Sequence, residues 1–151
     1  MPNIIQSRTQ SIKLAVRETM EDYLNCLDNQ NWTGVARCFT NDAVSHYNKD
    51  PQSMHGGCDV ADWLHQVLQV YSGTNHALSN FHVDLEGELA RCDSHVMATL
   101  HWGENGQGRV SVRAIRYRDE MVEVEGIWLI RRRIHEPRWQ YDALSASPRL
   151  Q

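Results

Sequence analysis

Tyr23 and Asp28 fall on the last turns of a helical pattern, and Tyr47 closes a strand pattern. His76 and Asn80 share one face of a second strand, and His101 ends a third. These are the groups that general acid–base chemistry uses: an imidazole to take and return a proton, a carboxylate to orient it, and phenols to hydrogen-bond to a developing oxyanion. Taken singly, each also has an ordinary role. Asp28 reads as a solvated helix-end acid, Tyr23 and Tyr47 as core aromatics, and His76 as a satisfied strand histidine. Trp63, Phe81 and Trp102 suit either an apolar pocket wall or plain core.

Other chemistries have weaker footing. The eight histidines (His46, His55, His65, His76, His82, His95, His101 and His135) include no pair at i+4 on a helix or i+2 on a strand. His76/His82 and His95/His101 stand six apart, roughly 20 Å at strand rise, so neither pair chelates as a local unit and no metal site is expected. There is no Gly-x-Ser-x-Gly nucleophile motif. The glycine-rich Gly103-Glu104-Asn105-Gly106-Gln107-Gly108 precedes a strand rather than a helix, which makes it a hairpin turn and not a phosphate cradle. Arg131-Arg132-Arg133 alternates faces if it lies in a strand, so a solvated or interface role is expected, with at most one or two members facing a cavity.

The elements that must position these groups are legible as periodicity. From Ile12, apolar residues at Val16, Met20, Tyr23, Leu24 and Leu27 mark one face of a helix ending near Asp28. Asn31 caps a short second helix carrying Trp32, Val35, Ala36 and Phe39, followed by a strand from Ala43 to Tyr47 and a loop over Asn48 to Gly57. Asp59 caps a third helix with Val60, Trp63, Leu64, Val67, Leu68 and Tyr71 at helical spacing, closed by Ser72-Gly73. The period then turns to alternation, predicting strands at about 75–85, 90–102, 109–118 and 122–134. Turns are expected at Glu86-Gly87-Glu88, Gly103 to Gly108 and Arg118-Asp119-Glu120. Helices first and an antiparallel meander afterwards is an α+β arrangement. A sheet that long, with helices on one face, curls and leaves a pocket on its concave side. Ser145 to Gln151 reads as a loose tail on a single domain spanning 1–151.

Composition sets the outer bounds. With 41% apolar residues, 23% charged and a formal net charge of −4, the chain reads as folded and soluble, without the basic footprint of a nucleic-acid binder. No apolar run is long enough for a signal peptide or membrane span. Cys26, Cys38, Cys58 and Cys92 form no Cys-x-x-Cys pair and are expected as free thiols in a reducing cytoplasm.

The order of elements, together with Tyr23-Leu24-Asn25-Cys26-Leu27-Asp28-Asn29-Gln30-Asn31-Trp32, Cys38-Phe39-Thr40-Asn41-Asp42-Ala43, His76-Ala77-Leu78-Ser79-Asn80 and Gly126-Ile127-Trp128-Leu129-Ile130, resembles the SnoaL-like branch of the nuclear transport factor 2-like superfamily over about 12–140. That resemblance implies a cone-shaped α+β barrel, three helices packed on a strongly curved, mainly antiparallel sheet. The motif spacing is most similar to bile acid 7α-dehydratase, where a tyrosine, an aspartate five residues on and a histidine 48 beyond act together. Tyr23, Asp28 and His76 reproduce both intervals. Scytalone dehydratase and, more distantly, hexachlorocyclohexane dehydrochlorinase are also similar, and Tyr47 and His101 fall where scytalone dehydratase carries a further tyrosine and histidine. Ketosteroid isomerase, with its carboxylate base, and limonene epoxide hydrolase, with its Asp-Arg-Asp set, are disfavoured.

The resemblance therefore implies a cofactor-independent lyase. Asp28 would fix the His76 tautomer so that Nε2 abstracts a carbon-bound proton, Tyr23 or Tyr47 would stabilise the oxyanion, and His76 or His101 would protonate departing hydroxide. Asn80, Trp63, Trp102 and Phe81 would contact a small hydrophobic substrate, a polycyclic or polyketide-like hydroxy compound. An isomerase or cyclase using the same dyad, and a noncatalytic ligand-binding module, are the alternatives. A homo-oligomer, dimer or trimer, is expected, with neither a nucleic-acid nor a membrane partner.

Overall fold

The structure, a computed structural model, describes residues 4–48, 50, 52–103 and 108–146. Three helices, α1 (Ile4–Asp28), α2 (Trp32–Arg37) and α3 (Gly56–Leu68), pack on one sheet. Its strands are β1 (Phe39–Tyr47), β2 (Met54–His55), β3 (Gly73–Glu86), β4 (Leu89–Trp102), β5 (Arg109–Val124) and β6 (Ile127–Leu144). The strand order is β2-β1-β6-β5-β4-β3, with β1 parallel to β6 and every other neighbour antiparallel. This is the curved, mostly antiparallel α+β architecture expected.

The apolar stripe of α1 is buried as its spacing requires, with Val16, Met20 and Tyr23 at 0% exposure. The helix begins a good two turns before Ile12, because the polar N-terminal segment tolerates helix without a core face to reveal it. It ends in a left-handed cap: Gln30 has φ 54° and the Asn31 N–H returns to the Cys26 carbonyl. Asn31 then caps α2 through Gly34 N–H at 3.0 Å.

Several predicted boundaries move. Phe39 opens β1 rather than closing α2, so that strand starts four residues before Ala43, and the loop after it contains the short β2. The N-cap of α3 is His55, and Asp59 reaches back to accept its backbone N–H at 3.1 Å. Tyr71 lies beyond the end of α3.

The largest correction concerns the last hairpin. Arg118, Asp119 and Glu120 are strand residues, not a turn, and the chain reverses at Glu125-Gly126, both at positive φ (51° and 84°). β6 accordingly extends to Leu144, ten residues past the predicted Ile134. Of the expected Gly103 to Gly108 turn and the Ser145 to Gln151 tail, residues 104–107 and 147–151 lie outside the described residues.

Register shifts bend the strands near Asn80 in β3, near Arg138 and near Arg131 between β5 and β6, and between Phe39 and Val44 where β1 pairs with β6. An extra residue on one strand locally kinks and twists it, which curls the sheet around its helices. The concave face buries Ala90, Cys92, Val96, Ala98 and Leu100 of β4 against the helices. All four cysteines are free thiols, and among the described residues no helix is long and apolar enough to cross a membrane.

Candidate active site

α1 packs against β3 so that the last residue of the helix, Asp28, meets the start of the strand. Thr74 and His76, two residues apart and therefore on one face, both turn toward it. The His76 ring contacts Asp28 Oδ1 through Nδ1 at 2.7 Å, the His76 backbone N–H donates to Oδ2 at 2.8 Å, and Thr74 Oγ1 donates to Oδ1 at 2.9 Å. The His76 side chain is 5% exposed and that of Asp28 21%. Burial alone would raise the Asp28 pKa, but these hydrogen bonds outweigh it and hold the carboxyl below its ordinary value. The carboxylate therefore accepts from Nδ1, which in the neutral imidazole leaves the lone pair on Nε2.

His76 lines a cavity of about 370 Å³ between α3 and the concave sheet face. Leu27, Trp63, Leu64, Ala98, Leu100 and Ile115 form its apolar wall, and Pro137 to Gln140 its rim. Asp28 stands behind the histidine and borders a separate cleft of about 230 Å³ beside Trp32 and His65. Tyr47 lines the main cavity with its ring 5.1 Å from that of Trp63. Tyr23 lies deeper, outside the cavity lining, with its phenol oxygen 3.0 Å from that of Tyr47 and its ring packed edge-on to that of Tyr117. Burial drives both phenol pKa values up, so these groups stay protonated and act as hydrogen-bond donors.

Beneath the tyrosines is an ion pair that sequence reasoning missed. Arg133 is fully buried and grips Asp119 with two bonds of 2.8 Å, while its third nitrogen reaches Tyr47 Oη at 3.5 Å. Its guanidinium carbon sits 4.2 Å from the Tyr23 ring centroid and 4.4 Å from that of Tyr117. The solvated role expected for the arginine run holds for Arg131 and Arg132, which are exposed, and fails for Arg133. The bulge near Arg131 shifts the alternation by one residue and turns Arg133 inward.

His135, two residues on, also lines the cavity, stacked on Tyr47 at 4.9 Å with its Nδ1 accepting from the Asn48 N–H at 3.4 Å. Burial, reinforced by Arg133, pushes its pKa down to about 3, so it is neutral and its proton sits on Nε2.

The remaining candidates are dispersed. His101 is held by serines on both ring nitrogens, Ser72 at 2.8 Å and Ser145 at 2.9 Å, and does not line the cavity. Trp102 packs edge-on to Tyr71 at 5.8 Å. Asn80, at the β3 bulge, loses the face it would share with His76 and is exposed in a shallow depression with His82 and His95. Phe81 lies under Arg17 of α1, 5.7 Å from its guanidinium carbon. Of the substrate-contact set only Trp63 is in place. Among the described residues no three His, Cys, Asp or Glu side chains converge as a metal site.

Comparison with known proteins follows the same lines. The family model of the SnoaL-like domain matches residues 8–134. The chain belongs to the SnoaL-like family. An uncharacterized protein of Mycobacterium tuberculosis is 27% identical over 129 residues, 82% of this chain and 84% of that one. Among solved structures, a proposed scytalone dehydratase of Novosphingobium aromaticivorans superposes with a TM-score of 0.75 at 23% identity, covering 96% of this chain and 99% of that one. A hexachlorocyclohexane dehydrochlorinase of Novosphingobium barchaimii gives 0.75 at 15% identity, covering 95% and 96%. Identities this low establish a shared fold. This SnoaL-like fold is used by small-molecule-processing enzymes, and the reaction of any one member has to be argued from its own site.

Proposed function

We propose that this SnoaL-like protein is a cofactor-independent dehydratase that removes water from a polycyclic or polyketide-like hydroxy compound. The observation that carries this reading is the 2.7 Å contact between Asp28 and His76, with the imidazole facing a largely apolar cavity. His76 Nε2 takes a proton from a carbon acidified by a neighbouring carbonyl or extended π system, and the imidazolium so formed pairs with the Asp28 carboxylate. Tyr47, polarised by Arg133 and accepting from Tyr23, donates to the oxygen on which charge builds. The carbon–oxygen bond then breaks as the new double bond forms. The departing hydroxide takes the proton back from His76 Nε2 and leaves as water. His135 Nε2–H, rather than the serine-bound His101, is the second donor available at the cavity wall.

Two structural relatives lend support at the level of reaction class, a proposed scytalone dehydratase and a hexachlorocyclohexane dehydrochlorinase, since both names denote eliminations. The test is incubation with a panel of fused-ring hydroxy ketones, read by mass spectrometry. Loss of 18 Da from a panel member with wild-type protein, absent with His76→Ala and Asp28→Asn, is the expected result. A compound that binds, stays intact and binds equally well to both variants would overturn the lyase reading in favour of a ligand-binding module.

A further inference from the structure

The cavity that His76 faces has a one-sided electrostatic lining. Arg113, on β5, and Arg138, at the rim, border it together with His76 and His135, and among the described residues no aspartate or glutamate does. The two arginines differ in setting. Arg138 is exposed, whereas Arg113 is half-buried, with Nε directed at Ser111 Oγ at 3.4 Å and one terminal nitrogen donating to Tyr71 Oη at 2.9 Å.

What distinguishes Arg113 is the lack of a counter-ion. Among the described residues, the arginines that are not exposed are Arg17, Arg113, Arg116 and Arg133. Arg17 pairs with Glu21, Arg116 with Asp93 and Arg133 with Asp119. Arg113 pairs with no carboxylate within 4.0 Å among these residues, and its hydrogen bonds go to two neutral hydroxyls. A guanidinium withdrawn from water is ordinarily compensated by an anion, and here the open side of the group is the cavity. Tyr71, which accepts from Arg113 and lies under it with its ring centroid 5.8 Å from the guanidinium carbon, fixes the side chain from one side only.

From this arrangement we infer that the cavity takes a ligand bearing an acidic group, a carboxylate or an ionised enol or phenol, and that Arg113 is its anchor. The anchor rests on the same cavity as the dehydratase reading and narrows its substrate class to anionic compounds. Fork-shaped donation from a guanidinium to a planar oxyanion fixes orientation as well as position. An anion held by Arg113 on β5 presents the apolar body of the ligand to the wall of Trp63 and Leu100, alongside the His76 imidazole. The run at 131–133 does not supply this contact, since Arg133 is committed to Asp119 and none of the three borders the cavity.

The test uses two fluorescent probes that share a naphthylphenylamine skeleton and differ by one acidic group, 1-anilinonaphthalene-8-sulfonate and N-phenyl-1-naphthylamine. Wild-type protein is expected to bind the sulfonate at least tenfold more tightly than the neutral amine. Arg113→Met should abolish that preference while leaving the Kd of the neutral probe within twofold, and Arg138→Met should reduce it by less than threefold. Where Arg113→Met fails to fold, Arg113→Gln, which keeps a donor for Tyr71, carries the comparison. Equal affinities in wild-type protein, or a preference that survives loss of Arg113, would overturn the anchor. The readout is equilibrium binding, so failure here leaves the dyad test untouched, and an inactive dyad leaves the probe preference unchanged.

Discussion

Asp28→Asn changes one atom of the site and is expected to move a proton on another residue. The wild-type carboxylate accepts three hydrogen bonds, from the His76 ring, the His76 backbone and Thr74. A carboxamide has one oxygen and one NH₂, so it cannot accept on both sides. If its oxygen faces the ring, its NH₂ confronts the backbone N–H where 2.8 Å now separates donor from acceptor. That leaves a partly buried donor unsatisfied, a cost of about 1–3 kcal/mol. If its oxygen faces the backbone, the NH₂ donates to His76 Nδ1, and the ring proton must move to Nε2. The backbone has no alternative tautomer and the ring does, so the second arrangement wins.

The consequence is a base whose working nitrogen is already occupied and an imidazolium that has lost its counter-charge. Mispairing of this kind in an acid–base triad lowers turnover by about 10⁴-fold, and a loss of about 10³ to 10⁴ is expected here. Exchange of charge-assisted for neutral hydrogen bonds should cost roughly 1–2 kcal/mol of stability at neutral pH. The assay that needs no substrate is ¹⁵N NMR of the histidine rings: His76 should read as the Nδ1–H tautomer in wild type and Nε2–H in the variant. A variant that keeps the Nδ1–H tautomer, or turns over within tenfold of wild type, would refute the reasoning.

Three further outcomes follow from the geometry. Asp119→Asn leaves the fully buried Arg133 without its counter-ion and should cost about 3–5 kcal/mol in urea unfolding; a cost below 1 kcal/mol would mean that the three surrounding rings compensate the charge unaided. His135 has a folded pKa of about 3 against an ordinary 6.5, so the unfolded chain binds the extra proton between those values and stability falls as pH drops through that window. At about 1.4 kcal/mol per pH unit, wild type should lose about 2–3 kcal/mol more than His135→Phe between pH 6.5 and 4.5, a range chosen above the titration of Asp28, and equal losses would contradict the assignment. Glu125 occupies the left-handed region at φ 51° in the β5–β6 turn, which Asn tolerates better than Glu because its short side chain hydrogen-bonds locally, so Glu125→Asn should raise the thermal midpoint, by about 0.5–1 kcal/mol in free energy.

How much of this was legible in the chain depends on which interaction carried each feature. The dyad was readable because both members sit at element ends fixed by local pattern, Asp28 by the stripe of α1 and His76 by the start of β3, and because the resemblance matched their interval. Trp63 was readable for the same reason, as part of the α3 stripe. Asn80 and Arg133 were not, since each lies at or beyond a bulge and a single inserted residue reverses every face assignment after it. Asp119 was hidden by a polar triplet that looks like a turn. A hairpin centred on Glu125-Gly126 puts it within one residue of facing Arg133, so the positive-φ tolerance of Gly126 was the available signal. His101 shared a strand with well-placed neighbours, but its direction is set by Ser72 and Ser145, contacts across 29 and 44 positions that no local period encodes.

The two polar networks explain why the site needs so much buried charge. In the upper one, under the proposed reaction, the Asp28 carboxylate stands ready to pair with the charge that His76 gains on taking a proton, so the electrostatic gain would arrive with the transition state. In the lower one, Asp119 holds Arg133 through a two-bond grip, and the pull of the guanidinium on Tyr47 is only partly offset by that carboxylate. Paired with Asp119, Arg133 leaves the Tyr47 pKa raised, because burial outweighs its pull. The phenol thus keeps its proton and is still polarised by the guanidinium and by Tyr23. Arg133 therefore pulls the Tyr47 pKa down from where burial alone would put it and holds the phenol in position at the same time, and loss of Asp119 should disturb Tyr47 even in a variant stable enough to fold.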